Sequence, residues 1–228
     1  MNSGTLYIVA TPIGNLEDIT LRAIAVLTSV DLILCEDTRV TMKLLQRYNI
    51  DTPLLSYHTH SSLKRLDGII KMISEGKKVA LVSDAGTPGI SDPGSVLVAK
   101  VREKLPGIKI AAIPGANAAV AALSISGLPS SDFLFLGFLP HKKGRQTLFR
   151  EIAASKRTVV FYESPHRIIK TFESLSESLS PNRRVAIGRE LTKRFEEMIT
   201  GSASEILVTI RADKNKQKGE FVVIVNPE

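Results

Sequence analysis

In Val79-Ala80-Leu81-Val82-Ser83-Asp84-Ala85-Gly86-Thr87-Pro88-Gly89-Ile90-Ser91-Asp92-Pro93-Gly94 an apolar run breaks into a loop of Gly, Pro and Asp, and an apolar-periodic segment, Ser95 to Leu105, follows at once. The run reads as a buried strand and the periodic segment as a helix. The loop between them has the chemistry of a turn and not of a packed core. In an open α/β sheet, a loop that leaves the carboxyl end of a strand is where ligands bind. Its glycines allow a ligand to approach the backbone closely. Asp84 and Asp92 argue against a phosphate cradle, which uses backbone N–H groups and cations. The loop suits a ligand that is neutral or positive at that point, or else it is an ordinary surface loop.

The same strand–loop–helix pattern recurs on both sides. Leu6 to Ala10 reads as a strand that exits into Thr11-Pro12-Ile13-Gly14-Asn15, and Thr20 to Leu27 as an amphipathic helix. Leu32 to Cys35 is a strand with Glu36-Asp37-Thr38-Arg39 at its exit, and Val40 to Tyr48 a helix. Pro53 to Tyr57 is a short strand, Ser61 or Ser62 caps a helix to about Glu75, and Lys109 to Ile113 is a strand. Pro114-Gly115-Ala116-Asn117 opens an Ala-rich helix to Ser126. This alternation implies a mostly parallel sheet covered by helices. In the second half, strands over 133–137, 158–161, 184–188, 195–200 and 221–225 follow one another more directly, with helices over 146–153, 167–179 and 203–210. A mixed sheet follows. The expected division is residues 1–114, with the parallel sheet, and 115–228, with the mixed one.

Composition bounds the function. The 228 residues are 43% apolar, enough for a real core, and no uninterrupted apolar stretch approaches bilayer length. The start, Met1-Asn2-Ser3-Gly4, has no basic segment of secretory type, and the lone Cys35 is expected to be a buried thiol in a reducing cytoplasm. A net charge of +7 favours a polyanionic partner, nucleic acid above all. Aromatic residues are only 5% of the chain, fewer than a platform for stacking many bases would use. The first loop lacks the glycine spacing of a dinucleotide site, and no Walker lysine follows any Gly-rich loop. His58 and His60 lie close together but without a third ligand, so no metal is expected. Serine-hydrolase and thiol-enzyme signatures are absent.

Charge gathers at strand exits: Glu36 to Arg39, Glu163 to Arg167, and Arg189-Glu190-Leu191-Thr192-Lys193. Together with the Asp84 loop, these favour a ligand cleft over a set of solvated turns. Read in order, Leu6 to Leu16, Glu36 to Arg39, Ser83 to Pro88, Asp92 to Gly94, Pro114-Gly115, Gly137 to Pro140, Phe161 to Ser164, His166-Arg167, Arg189 to Lys193 and Lys218 to Glu220 resemble the ribosomal RNA small subunit methyltransferase I family of the tetrapyrrole methylase superfamily. The resemblance spans nearly the whole chain. It implies two α/β domains of tetrapyrrole-methylase type with the ligand cleft between them, and S-adenosylmethionine as methyl donor. It further implies 2′-O-methylation of a cytidine in the decoding region of the small ribosomal subunit, and a cytoplasmic homodimer acting on that subunit and its rRNA. Some members continue into a helical extension, whereas this sequence ends at Asn226-Pro227-Glu228, so contacts made by such an extension are not carried over.

By the same resemblance, Pro12, Ser83, Asp84, Ala85, Thr87, Pro114, Gly115, Asn117, Ala118, Glu163 and Leu191 border the donor, several of them through backbone groups. The donor's sulfonium and ammonium suit an acidic loop. Methylation of a weakly acidic hydroxyl gains from a base or a nearby cation. Candidates are Glu36, Asp37, Glu190 and Lys193, with Glu190 or Asp37 to take the proton and Lys193 to lower the energy of the oxyanion; alternatively these residues only tie loops together through ion pairs. Arg39, Lys142, Lys143, Arg145, His166 and Arg167 are candidate phosphate contacts, or ordinary surface charge. A tetrapyrrole C-methyltransferase, and a ribosome-associated RNA-binding protein without catalysis, are the competing readings.

Overall fold

The computed structural model describes residues 4–58, 63–92 and 94–228. The expected cap at Ser61 or Ser62, along with His60 and Pro93, lies outside them. The chain divides into two compact units after Asn117.

The first unit is built from β1 (Thr5–Val9), α1 (Leu21–Ser29), β2 (Leu32–Cys35), α2 (Thr38–Arg47), β3 (Leu54–Ser56), α3 (Leu63–Ser74), β4 (Lys78–Val82), α4 (Gly94–Lys104) and β5 (Lys109–Ile113). Its five strands are all parallel, in the order β3-β2-β4-β1-β5. Both faces of such a sheet must be covered, so its strands are apolar on both sides. In β4, Ala80 and Val82 join Leu27, Ile33 and Leu45 in one core, whereas Val79 and Leu81 join Leu34, Ile69 and Leu97 in another. Thr20 caps α1 and Asp37 caps α2, each side chain accepting a backbone N–H of the first turn. Cys35 is buried and unpaired, and burial pushes its thiol pKa up.

The second unit contains α5 (Ala118–Ser126), β6 (Phe133–Phe138), α6 (Arg145–Ala153), β7 (Thr158–Glu163), α7 (Ile168–Ser178), β8 (Arg184–Arg189), β9 (Glu197–Ser202), α8 (Ala203–Ala212) and β10 (Phe221–Val225). The sheet is mixed, in the order β6-β7-β10-β8-β9, with only β6 and β7 parallel. The last strand in sequence therefore lies at its centre, and every residue of β10 is buried. Phe221, Val223 and Val225 pack with Phe149, Phe161 and Phe172 into a single core. Ser202 and Glu205 form a reciprocal capping box at the start of α8. β9 opens at Glu197, two residues later than the sequence places it, which leaves Phe195 in the preceding loop.

Candidate functional site

Parallel strands bring their exits to one edge. In the first unit the segments after β1, β2, β4 and β5 meet there and are stitched together. Thr11 and Gly86 exchange backbone hydrogen bonds of 2.9 and 3.1 Å, and the Thr11 hydroxyl donates to Ser83 O at 2.9 Å. The Thr87 hydroxyl donates to Ala116 O at 3.1 Å, which joins the exits of β4 and β5. Asp84 Oδ1 accepts the backbone N–H of Asp37 at 3.0 Å, which joins those of β4 and β2. Asp92 Oδ1 accepts the N–H groups of Gly89 and Gly94 at 2.9 and 2.6 Å and so closes the loop on itself. Gly86 and Gly89 hold φ near +83° and +84°, where a side chain is strained.

Pro12, Ser83, Asp84, Ala85, Thr87, Pro114, Gly115 and Asn117 all belong to this edge. Ser83 and Pro12 are buried, whereas Asp84, Ala85, Pro114 and Gly115 are exposed. Among the acids, Glu36 stands apart. Burial, a hydrogen bond with Asp92 and the charges of Asp92 and Asp84 push its pKa up to about 7. Asp37 behaves in the opposite way. Its side chain caps α2 and forks onto Arg39, and these bonds to Arg39 hold its pKa down at about 2. A carboxylate so stabilised is a weak proton acceptor. Arg39 is 87% exposed in its side chain and keeps Asp37 as its partner.

In the second unit, β7 and β8 run the same way on either side of β10, and Phe221 is in register with both Glu163 and Arg189. Their exits therefore flank the start of β10. Glu163 has a fully buried side chain, ion-paired to Arg145 at 2.9 Å and Arg167 at 2.7 Å. It also accepts from the Thr171 hydroxyl at 2.7 Å and the Ser164 N–H at 2.8 Å. Arg145 and Arg167, expected on the RNA surface, have side chains only 12% and 15% exposed. Arg145 also donates to Pro140 O and Thr171 Oγ1, and Arg167 to Leu139 O and Ser164 Oγ. The reason is electrostatic: a buried carboxylate needs paired, hydrogen-bonded cations. Thr171, which sequence reading did not single out, completes this network. Lys142, Lys143 and His166 remain exposed.

The exit of β8 carries the other cluster. Lys193 Nζ donates to Glu190 Oε1 at 2.9 Å and to Glu220 Oε2 at 2.8 Å. Glu190 Oε1 also accepts the Glu220 N–H at 3.0 Å. Burial opposes ionisation of both groups, but their mutual hydrogen bonds and charges outweigh it: the Glu190 pKa is lowered and the Lys193 pKa raised. Glu190 and Thr192 adopt φ of 51° and 66°, which is strained for residues with a Cβ. Leu191, between them, is buried. Arg189 braces the loop by donating to the carbonyls of Lys218, Phe195 and Asn215. Glu220, Gly219 and Arg189, which pack or bond within this cluster, were legible only as members of the quoted motifs.

The donor set fits a cationic ligand. Glu36, Asp84 and Asp92 gather at one sheet edge, where burial first, and then the hydrogen bond with Asp92 and the charges of Asp92 and Asp84, raise the Glu36 pKa. A sulfonium or ammonium relieves the repulsion among these charges, whereas a polyphosphate aggravates it.

Residues 5–207 match the family of Tetrapyrrole (Corrin/Porphyrin) Methylases. Over 225 residues the chain is 47% identical to the ribosomal RNA small subunit methyltransferase I of Neisseria meningitidis serogroup B, covering 98% of this chain and 76% of the relative. It is 46% identical to the protein of that name from Thermotoga maritima, with 98% of both covered. Among solved structures, the methyltransferase CobJ aligns with a TM-score of 0.70 at 22% identity, covering 100% of this chain and 95% of that one. Uroporphyrin-III-C-methyltransferase from Thermus thermophilus aligns with a TM-score of 0.67 at 20% identity, covering 98% and 94%. These two show a shared fold. Methylases of this family take their methyl group from S-adenosylmethionine. With a family match over most of its length and near-half identity along nearly all of it, the chain belongs to the ribosomal RNA small subunit methyltransferase I family of tetrapyrrole methylases.

Proposed function

We propose that the protein methylates the ribose 2′-oxygen of a cytidine in the decoding region of small-subunit ribosomal RNA. The observation that carries this reading is near-half identity, over almost the entire chain, to proteins named for small-subunit rRNA methylation. The structure named for uroporphyrin-III methylation shares the fold at 20% identity, less than half that of these relatives, so it favours no second reading.

S-adenosylmethionine supplies a methyl group on a positively charged sulfur; as the carbon–oxygen bond forms, the carbon–sulfur bond breaks and the hydroxyl proton leaves. The acidic edge of the first unit, with Asp84 exposed on it, suits that charge. Pro12, Ser83, Ala85, Thr87, Pro114, Gly115 and Asn117 supply backbone close to it. In the second unit the family resemblance also points to Ala118, Leu191 and Glu163, of which Glu163 would act through its backbone because its carboxylate is fully engaged.

Lys193 stays protonated at neutral pH and offers a cation to a developing oxyanion. Glu190 and Glu220 aim it. Glu190 is a positioning residue, since its lowered pKa makes it a weak base. Lys142, Lys143, His166 and Arg39 offer charge to RNA phosphates.

The reading extends to a cytoplasmic homodimer that acts on assembled small subunits, because one chain has few means of choosing a cytidine by sequence. Among the described residues no helix is long and apolar enough to cross a membrane. Tritium transfer from labelled donor to subunits and to deproteinised rRNA, followed by nuclease mapping, tests the proposal. Label on one cytidine ribose of the subunit is expected. Label on a base overturns the 2′-oxygen assignment, and equal labelling of naked RNA overturns the preference for subunits.

A further inference from the structure

Phe195 is 64% exposed on the loop that carries Lys193. The backbone there is held at several points. Phe195 O accepts from Arg189 Nη1 at 3.3 Å, and the Glu196 N–H donates to Lys193 O at 3.0 Å. Glu196 Oε2 in turn accepts the Thr192 N–H at 2.5 Å. The ring is thus presented by a braced turn and not by a loose tip. The guanidinium of Arg194, also exposed, lies 5.5 Å from the ring centroid. The hydrogen bonds that hold Lys193 to Glu190 and Glu220 use neither side chain. An exposed aromatic backed by a cation combines the two things an unpaired nucleotide needs, a π-face for the base and a positive charge for the phosphate.

We infer that Phe195, with Arg194 against it, is a stacking platform for an unpaired nucleobase of the RNA substrate. The inference rests on the reading of the protein as an rRNA ribose methyltransferase and adds to it how a nucleotide is held near Lys193. A 2′-hydroxyl is reached most easily when its nucleotide is drawn out of a stack. A phenyl ring has no hydrogen-bonding edge, so it orients the base without reading its identity.

The chain contains no tryptophan, so Phe195→Trp installs a single fluorescent reporter at the platform. Titration at low salt with single-stranded polycytidylate, and separately with inorganic polyphosphate as a polyanion without bases, reads stacking directly. Saturable quenching by polycytidylate, with little change from polyphosphate, is expected. Equal responses to both polymers, or polycytidylate binding without quenching, overturn the platform. So does an emission blue-shift that grows with protein concentration in the absence of RNA, which places the ring against a second copy of the chain. In methyl transfer to small subunits, Phe195→Ala is expected to raise the KM for subunits roughly 5- to 150-fold, the range of one lost stacking contact. The KM for the donor stays unchanged, and Phe195→Tyr restores the KM for subunits. An unchanged KM for subunits in Phe195→Ala also overturns the platform. Methylation by the unaltered protein without quenching in the reporter removes the platform and leaves the function standing, whereas no methylation of any RNA removes both.

Discussion

Gly219 lies so close to Glu190 that a Cβ on the glycine would sit 2.6 Å from Glu190 Cγ and 2.7 Å from its carboxylate. Gly219 also holds φ at +102°. Any side chain there meets steric overlap and backbone strain together. Gly219→Ala is therefore expected to lower stability by about 1–3 kcal/mol and to displace the carboxylate that aims Lys193. Denaturant midpoints and methyl-transfer rates, measured side by side, check this. A variant as stable and as active as the unaltered protein would show that Glu190 has no fixed position to lose.

The second prediction concerns the buried carboxylate of Glu163. Removing one member of a buried ion network leaves the others charged and unpaired, which costs about 3–5 kcal/mol. Glu163→Ala, which strands Arg145 and Arg167, is expected to lose that much in urea denaturation. Arg39→Ala breaks an exposed pair instead, and its midpoint is expected to stay put. Equal effects of the two changes would contradict the burial that separates them.

Glu36 sets a pH dependence whose sign is opposite to that of most carboxylates. Its folded pKa, about 7, stands above the ordinary value of 4.5. The folded state therefore binds more protons than the unfolded state between these values, and stability falls as pH rises through that window. Glu36→Gln removes the charge that is repelled by Asp92 and Asp84. The variant is expected to melt higher than the unaltered protein at pH 8, with the gap closing toward pH 5. A gap of the same size at both pH values would mean that Glu36 ionises normally.

Lys142 and Lys143 stand exposed beside Arg145, whose guanidinium is turned inward to Glu163. Of these three, the two lysines are the ones open to phosphates. Lys142→Glu with Lys143→Glu is expected to flatten the log-affinity against log-salt slope for RNA, by about 0.7 per phosphate contact on a single strand. An unchanged slope would remove this loop from the RNA surface.

Much of the scaffold was legible in the sequence. The run Val79 to Val82, apolar at every position, announced a buried strand, whereas the capping roles of Thr20 and Asp37 emerged only in the structure. The site was legible as a set of strand exits, because turn residues and charges interrupt apolar runs there. The direction of each charge was not legible. Arg145 and Arg167 look the same as Lys142 and Lys143 in a sequence, and Asp37 looks the same as Glu36.

What the sequence determined by itself is therefore local and periodic: where strands and helices run, which loops leave the strands, and which motifs recur in family order. Tertiary structure alone decided what those loops do to one another. Glu163 draws two arginines inward because a buried carboxylate cannot remain unpaired. Glu36 is driven toward neutrality by burial and by Asp92 and Asp84, residues far from it in sequence. Gly219 and Glu190 meet only because β10 lies beside β8. Charge and shape act through space, and spacing along the chain does not encode the distances at which they act.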